Sequence, residues 1–202
     1  FSAAIKIIND NKDCVLFNGP ISKKHFLNKK YPGITEYLAK KTNSSGEVML
    51  IYNENFAVSP ITTHLPLSKI TSKINKSKII NNVLKINKFY KFHSKKNPIF
   101  GVLGLNPHCE TTDKFSEEKK IILPAIKYLK KKKIKIKGPF PADTFFIKKN
   151  LQKYDVVIGM YHDQVLTPMK TIYEFDAINI TLGLPFLRLS PDHGPNEKMI
   201  NK

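Results

Sequence analysis

Apolar residues in this chain fall into short runs and one-sided stripes that alternate along its length. Phe1 to Ile8 reads as the end of a helix. Cys14 to Phe17 reads as a short apolar strand, closed by Asn18-Gly19-Pro20. After Tyr31-Pro32-Gly33, Thr35 opens a helix over Glu36 to Lys41. Val48 to Tyr52 and Phe56 to Thr62 are predicted strands around the turn Asn53-Glu54-Asn55. From Leu67 to about Lys88, apolar Leu67, Ile70, Ile74, Ile79, Ile80, Val83 and Leu84 recur at helical spacing among lysines. Ile99 to Leu105 is a predicted buried strand. Ser116 caps a predicted helix through Lys132, with Glu117 and Glu118 in its first turn and lysines at its end, the order a helix dipole favours. Pro124 is expected to kink it. Ile134 to Ile136 predicts a short strand, Gly138-Pro139-Phe140-Pro141 a rigid loop, and Asp143 the start of another helix. Asp155 to Met160 is apolar on both faces, as a central strand is, and Ala177 to Leu182 and Phe186 to Leu189 predict two more strands. Strands alternating with helices imply an α/β layered fold.

Composition narrows this picture. The chain has 202 residues, 41% of them hydrophobic, enough for a core of one or two α/β units and too many for a disordered segment. It begins with Phe1 rather than Met, so it is expected to start inside a longer protein. No apolar run approaches the ~20 residues of a membrane helix. Cys14 and Cys109 form no metal or redox motif, so a reducing cytoplasm is the expected location. The formal charge of +18 invites a nucleic-acid partner. Of the 34 basic residues, however, only Arg188 is an arginine, and phosphate and base readers lean on the planar arginine fork. The densest block, Lys130 to Lys133 with Lys135 and Lys137, has no interleaved aromatic for base stacking. A solvated basic surface is the expectation, and a basic nucleic-acid-binding module is the alternative from another class. Against this bias the lone Arg188 reads either as a place where an ammonium does not serve or as a chance retention.

Three histidines follow three predicted strands. His64 follows Phe56 to Thr62, His108 follows the strand ending at Leu105, and His162 follows the strand ending at Met160. In α/β sheets ligands gather beyond the carboxyl ends of the strands. Three neutral imidazoles with open positions suit a catalytic metal, most naturally Zn²⁺, with Co²⁺ or Ni²⁺ as alternatives. Asp163 or Asp143 would orient a histidine from behind. The competing reading is that each histidine only caps its loop. Lys170, Asn179, Arg188 and Thr35 make an anion-binding set suited to a phosphorylated or carboxylated substrate. There is no G-x-G-x-x-G, so a Rossmann nucleotide site is not expected.

Taken in order, Asn18-Gly19-Pro20-Ile21, Gly33-Ile34-Thr35-Glu36, Thr62-Thr63-His64-Leu65-Pro66-Leu67, Gly104-Leu105-Asn106-Pro107-His108, Gly138-Pro139-Phe140-Pro141-Ala142-Asp143-Thr144, Met160-Tyr161-His162-Asp163-Gln164, Asn179-Ile180-Thr181-Leu182-Gly183-Leu184-Pro185-Phe186, Arg188 and Asp192-His193-Gly194 resemble the 4-hydroxythreonine-4-phosphate dehydrogenase family. The resemblance implies a layered α/β/α fold like that of isocitrate and isopropylmalate dehydrogenases. Residues 1–202 would be a fragment of that two-domain fold, without its N-terminal part and its C-terminal end. It implies NAD-dependent, metal-assisted oxidation of 4-phosphooxy-L-threonine and then decarboxylation, in pyridoxal phosphate biosynthesis. His64, His108 and His162 match the family's metal ligands, with Zn²⁺ foremost and Co²⁺ or Mg²⁺ as alternatives. Thr35, Lys170, Asn179 and Arg188 match its substrate-binding residues. His193 and Gly194 match a segment lying against NAD. Asp143, Asp163 and Lys170 are the candidates for the general base, with Asp143 and Lys170 foremost. The resemblance further implies a homodimer with the active site at the interface, and no membrane partner. Ile34 stands where the family usually has a histidine, which keeps open a related dehydrogenase for erythronate or threonate 4-phosphate.

Overall fold

The structure is a computed structural model that describes residues 1–11, 14–19, 21, 31, 33–112 and 114–192. Its helices are α1 (Ser2–Asp10), α2 (Ile34–Lys41), α3 (Lys76–His93), α4 (Leu123–Lys131), α5 (Ala142–Phe145), α6 (Lys148–Leu151) and α7 (His162–Tyr173). Its strands are β1 (Leu16–Phe17), β2 (Val48–Tyr52), β3 (Ala57–Thr62), β4 (Phe100–Leu103), β5 (Ile136–Phe140), β6 (Val156–Tyr161), β7 (Ile178–Leu182) and β8 (Arg188–Pro191). All eight join one sheet in the order β1-β8-β7-β2-β3-β6-β4-β5. The half β3-β6-β4-β5 is parallel, while β2 runs antiparallel to both β3 and β7.

Alternation along the strands sends side chains to two cores. Val156, Ile158 and Met160 of β6 face α3 and α4, packing with Ile79, Val83, Ile86, Ile126 and Leu129. Val157 points the other way, to Val165 and Met169 of α7 and Phe145 of α5. Helices therefore cover both faces, and the expected α/β/α layering is what the chain adopts. A third cluster, Ile8, Leu16 and Leu38, ties α1 and α2 to the β1 edge.

Several predicted elements differ in detail: the strand expected at Ile134 to Ile136 begins only at Ile136, and that expected at Phe186 to Leu189 runs over Arg188–Pro191. The Leu67 to Lys88 helix is two 3₁₀ turns followed by α3, which starts only after Asn75. Asn75 accepts the Lys78 N–H at 2.9 Å and caps the new start, while Leu67 is 71% exposed and lies off the core. The helix from Ser116 to Lys132 opens as a π-helical turn, Glu118–Ile122, before α4. Pro124 has no N–H, so it sits at the start of α4, where none is needed. Pro124 lies just past the point where the winding changes from π to α. Gly138-Pro139-Phe140, read as loop, belongs to β5 and pairs with β4, as Leu103↔Phe140 shows. The strand read from Cys14 is shortened to Leu16–Phe17.

The join between the two sheet halves is narrow. β2 and β3 pair only at Ile51↔Val58 and Tyr52↔Ala57. Pro60 then removes a donor from a central strand, and the Ser59 hydroxyl donates to the Met49 carbonyl at 2.6 Å instead. Beyond that point lies a cavity of about 260 Å³, walled by Val48, Met49, Pro60, Ile61, Thr35 and Glu36.

Candidate active site

β3, β6 and β4 are parallel neighbours, so the segments leaving their carboxyl ends emerge side by side. Those segments carry His64, His162 and His108. His64 and His162 face each other with ring centroids 5.8 Å apart and planes tilted by 39°. His162 is the first residue of α7, and its Nδ1 lies 2.7 Å from Asp163 Oδ1. A carboxylate accepts only, so in the neutral ring Nδ1 donates and Nε2 is the nitrogen open to a ligand. His64 rests against Gly33, where an added Cβ would come within 3.2 Å of the ring. Its Nδ1 lies 3.7 Å from Glu36 Oε1, to which Thr63 Oγ1 donates at 3.4 Å. Burial pulls the Glu36 carboxyl upward, but His64, its own backbone N–H and Thr63 together hold it below the ordinary value.

His108 sits on an exposed turn after β4, Pro107–Cys109, with φ of 56°. Cys109 follows at φ 60°. Two successive non-glycine residues in the left-handed region cost on the order of 1–3 kcal/mol each and persist only where their surroundings fix them. Among the described residues, no three His, Cys, Asp or Glu side chains converge closely enough to hold a metal. The structure thus brings two of the expected ligands together and sets the third on the adjoining turn. Two facing imidazoles, one with its outer nitrogen already hydrogen-bonded, are a donor set that suits a divalent transition metal.

The anion-binding candidates lie mostly in the other half of the sheet. Arg188 and Thr181 are register partners on β8 and β7, as are Ser190 and Asn179, so the four share one face. Arg188 is 2% exposed; its Nε donates to Asn18 Oδ1 at 2.8 Å and its Nη1 to Thr181 Oγ1 at 3.3 Å. Burial pushes its guanidinium down to about 10. Asn179 Oδ1 is buried and has no hydrogen-bond partner among the described residues. Lys170, two turns along α7 from His162, pairs with the buried Asp192 at 2.7 Å and also donates to its carbonyl. Thr35 is buried in the first turn of α2 and lines the cavity at the split between β2 and β3. Asp143 is exposed on α5, which packs on the His108 turn, and accepts the Thr144 N–H at 2.8 Å. Ile34 packs against the Ile8, Leu16, Leu38 cluster. His193 and Gly194 lie outside the described residues, as does His25.

Two residues at this site escape sequence reasoning. Glu118 is 1% exposed, and its Oε1 accepts the Leu105 and Asn106 N–H groups, each at 2.8 Å. Gln164 is buried; its Nε2 donates to the Gly104 carbonyl and its Oε1 accepts the Met160 N–H, each at 2.7 Å. Glu118 has the signature of an ordinary helix start, and only its burial separates it from Glu117.

The α/β/α sheet, in a chain with no glycine-rich nucleotide loop, has the fold class of isocitrate dehydrogenase. The chain matches isocitrate dehydrogenase from Methylococcus capsulatus with a TM-score of 0.57, covering 98% of this chain and 65% of that one; at 10% identity the likeness is of fold alone. Within that class the chain belongs to the family Pyridoxal phosphate biosynthetic protein PdxA, which residues 1–198 match. It is 40% identical to 4-hydroxythreonine-4-phosphate dehydrogenase from Sulfurihydrogenibium sp. (strain YO3AOP1) over 204 residues, 98% of this chain and 62% of the relative. It is 37% identical to D-threonate 4-phosphate dehydrogenase from Pectobacterium atrosepticum over 178 residues, 87% of this chain and 55% of the relative. The crystal structure of 4-hydroxythreonine-4-phosphate dehydrogenase from Klebsiella pneumoniae matches with a TM-score of 0.80 and 33% identity, covering 96% of this chain and 60% of that one. The chain thus spans little more than half the length of the relatives it matches.

Proposed function

We propose that the protein containing this chain oxidises the secondary alcohol of 4-phosphooxy-L-threonine with NAD⁺. The observation that carries the proposal is the His64–His162 pair at neighbouring strand ends, in a chain of this family. The substrate carbon loses hydride to NAD⁺ and its hydroxyl loses a proton, giving 2-amino-3-oxo-4-phosphooxybutanoate and NADH. This β-keto acid then loses CO₂ and takes up a proton, giving 3-amino-2-oxopropyl phosphate.

His64 and His162, with His108 from the next turn, would hold a divalent metal, Zn²⁺ foremost. Such a metal, when bound, lowers the pKa of a nearby hydroxyl and stabilises developing negative charge. The chain's own residues orient the substrate. Arg188, Asn179 and Lys170 offer a guanidinium, an amide and an ammonium to phosphate and carboxylate, and Thr35 adds a hydroxyl at the start of α2. Asp192 holds Lys170 in place. Holding the reacting carbon in line is worth on the order of 7–11 kcal/mol in well-oriented systems. Asp143, beside the His108 turn, is the preferred proton acceptor and Lys170 the second candidate. The proposed assembly is a homodimer with the active site at the subunit interface, acting in the cytoplasm.

A second reading is oxidation of a four-carbon sugar-acid phosphate such as D-threonate 4-phosphate. The likeness to D-threonate 4-phosphate dehydrogenase supports it, and Ile34, packed in an apolar cluster, keeps it open. The deciding experiment measures kcat/KM of the intact protein with NAD⁺ on both substrates, beside its metal content and that of His108→Ala. The proposal expects about one transition metal per subunit, lost in the variant, and preference for 4-phosphooxy-L-threonine. Turnover of neither substrate with metal present would overturn it.

A further inference from the structure

Three consecutive backbone groups before His108 are held by side chains from two other elements. Glu118, at the head of the π turn, accepts the N–H groups of Leu105 and Asn106 on one oxygen. Its other oxygen accepts from Asn106 Nδ2 and Ser116 Oγ, each at 3.1 Å. Gln164, in the first turn of α7, takes the Gly104 carbonyl immediately upstream. The other end of the same amide takes the Met160 N–H, two residues before His162. Gly104 leaves the space for this grip: a Cβ there would lie 2.6 Å from Cys109 Sγ and 3.3 Å from Glu118 Oε1. A turn that needed only closure could leave its N–H groups to water. A carboxylate removed from water is a costly way to hold a loop, and it yields a fixed one. What it fixes is a segment entering two left-handed residues, His108 and Cys109, which need support to persist.

We propose that Glu118 and Gln164 are positioning residues: Glu118 holds the segment before His108 to the head of the π turn, Gln164 ties the same segment to the start of α7, and together they set His108 relative to His162. This rests on the three-histidine reading of the site. Their role is to fix the backbone around His108 and His162 rather than to serve as ligands.

The test uses the intact protein with Glu118→Gln, Glu118→Met, Gln164→Met and, as control, His108→Ala. Amide exchange at Leu105 and Asn106 is compared with that at Val157 and Ile158, and Co²⁺ binding is followed by visible absorption. In Glu118→Met, exchange at Leu105 and Asn106 should rise about tenfold or more while β6 is unchanged. Co²⁺ affinity should fall roughly 10- to 100-fold in Glu118→Met and Gln164→Met. Glu118→Gln keeps an acceptor and should fall between. Unchanged exchange at Leu105 and Asn106 overturns the proposal, and so does raised exchange with unmoved Co²⁺ affinity. Should Glu118→Met not fold, Gln164→Met carries both readouts, with Met160 as the reporting amide. Equal Co²⁺ binding by wild type and His108→Ala would overturn the three-histidine reading and the proposal with it. That result is distinguishable from failure of the positioning role alone, in which His108→Ala loses the metal but Glu118→Met does not.

Discussion

Arg188 is the largest fully buried side chain among the described residues, and the two bonds from its Nε and Nη1 explain why lysine does not replace it. An ammonium offers no planar fork and would strand Asn18 and Thr181. Arg188→Lys is expected to destabilise by about 2–3 kcal/mol in urea unfolding, with Lys69→Arg on the surface within about 0.5 kcal/mol of wild type. Glu118 shows the opposite charge in similar confinement. Burial raises its carboxyl, but the Asn106 backbone and side-chain N–H groups, with Leu105, outweigh this and leave it below 4.5. A depressed carboxyl adds stability that is complete above the unfolded value and lost as pH falls through the native one. The stability gap between wild type and Glu118→Gln should therefore stay level from neutral pH to about 5 and shrink below that. Urea midpoints measured across this range check it.

The elements owe their ends to single residues. Asn75, not the apolar stripe, decides where α3 starts, and Asn75→Ala should cost about 1 kcal/mol in denaturant unfolding. The stripe at Leu67, Ile70 and Ile74 was legible, but 3₁₀ turns present residues at nearly the same spacing, so periodicity alone cannot choose between them. At Gly159 the strand passes under α7, and a Cβ would meet Val165 Cγ1 at 2.4 Å and Gln164 Oε1 at 3.2 Å. Gly159→Ala should therefore cost about 1–3 kcal/mol through overpacking and displace Gln164 from Met160. Thermal unfolding and exchange at the Met160 amide report the two effects separately.

At the scale of the whole molecule, the histidines stand at one half of the sheet and Asn179 and Arg188 lie on the other, the halves being joined through the short β2–β3 pairing, while Lys170 shares α7 with His162. The proposed dimer would close the site between subunits. Specific activity of the intact protein should then fall on dilution below the dimer dissociation constant, in step with the dimer fraction seen by sedimentation; activity constant through that transition would place the site in one chain. The charge of +18 spreads over lysines of α3, α4 and the loops rather than over the site. No helix among the described residues is long and apolar enough to cross a membrane.

The sequence by itself determined the layering, most strand positions and the family, because periodicity and ordered motifs are local and survive heavy lysine substitution. It named the three histidines and the lone arginine, since each breaks a local pattern. Tertiary structure alone decided that His64 meets His162 while His108 stands on a strained turn. It alone decided that Lys170 is engaged by Asp192, that Gly138-Pro139-Phe140 joins the sheet, and that Glu118 is a buried grip rather than a helix-start charge. Each of these depends on which distant backbone groups arrive beside a residue. The strand order sets that, and no spacing along the chain records it.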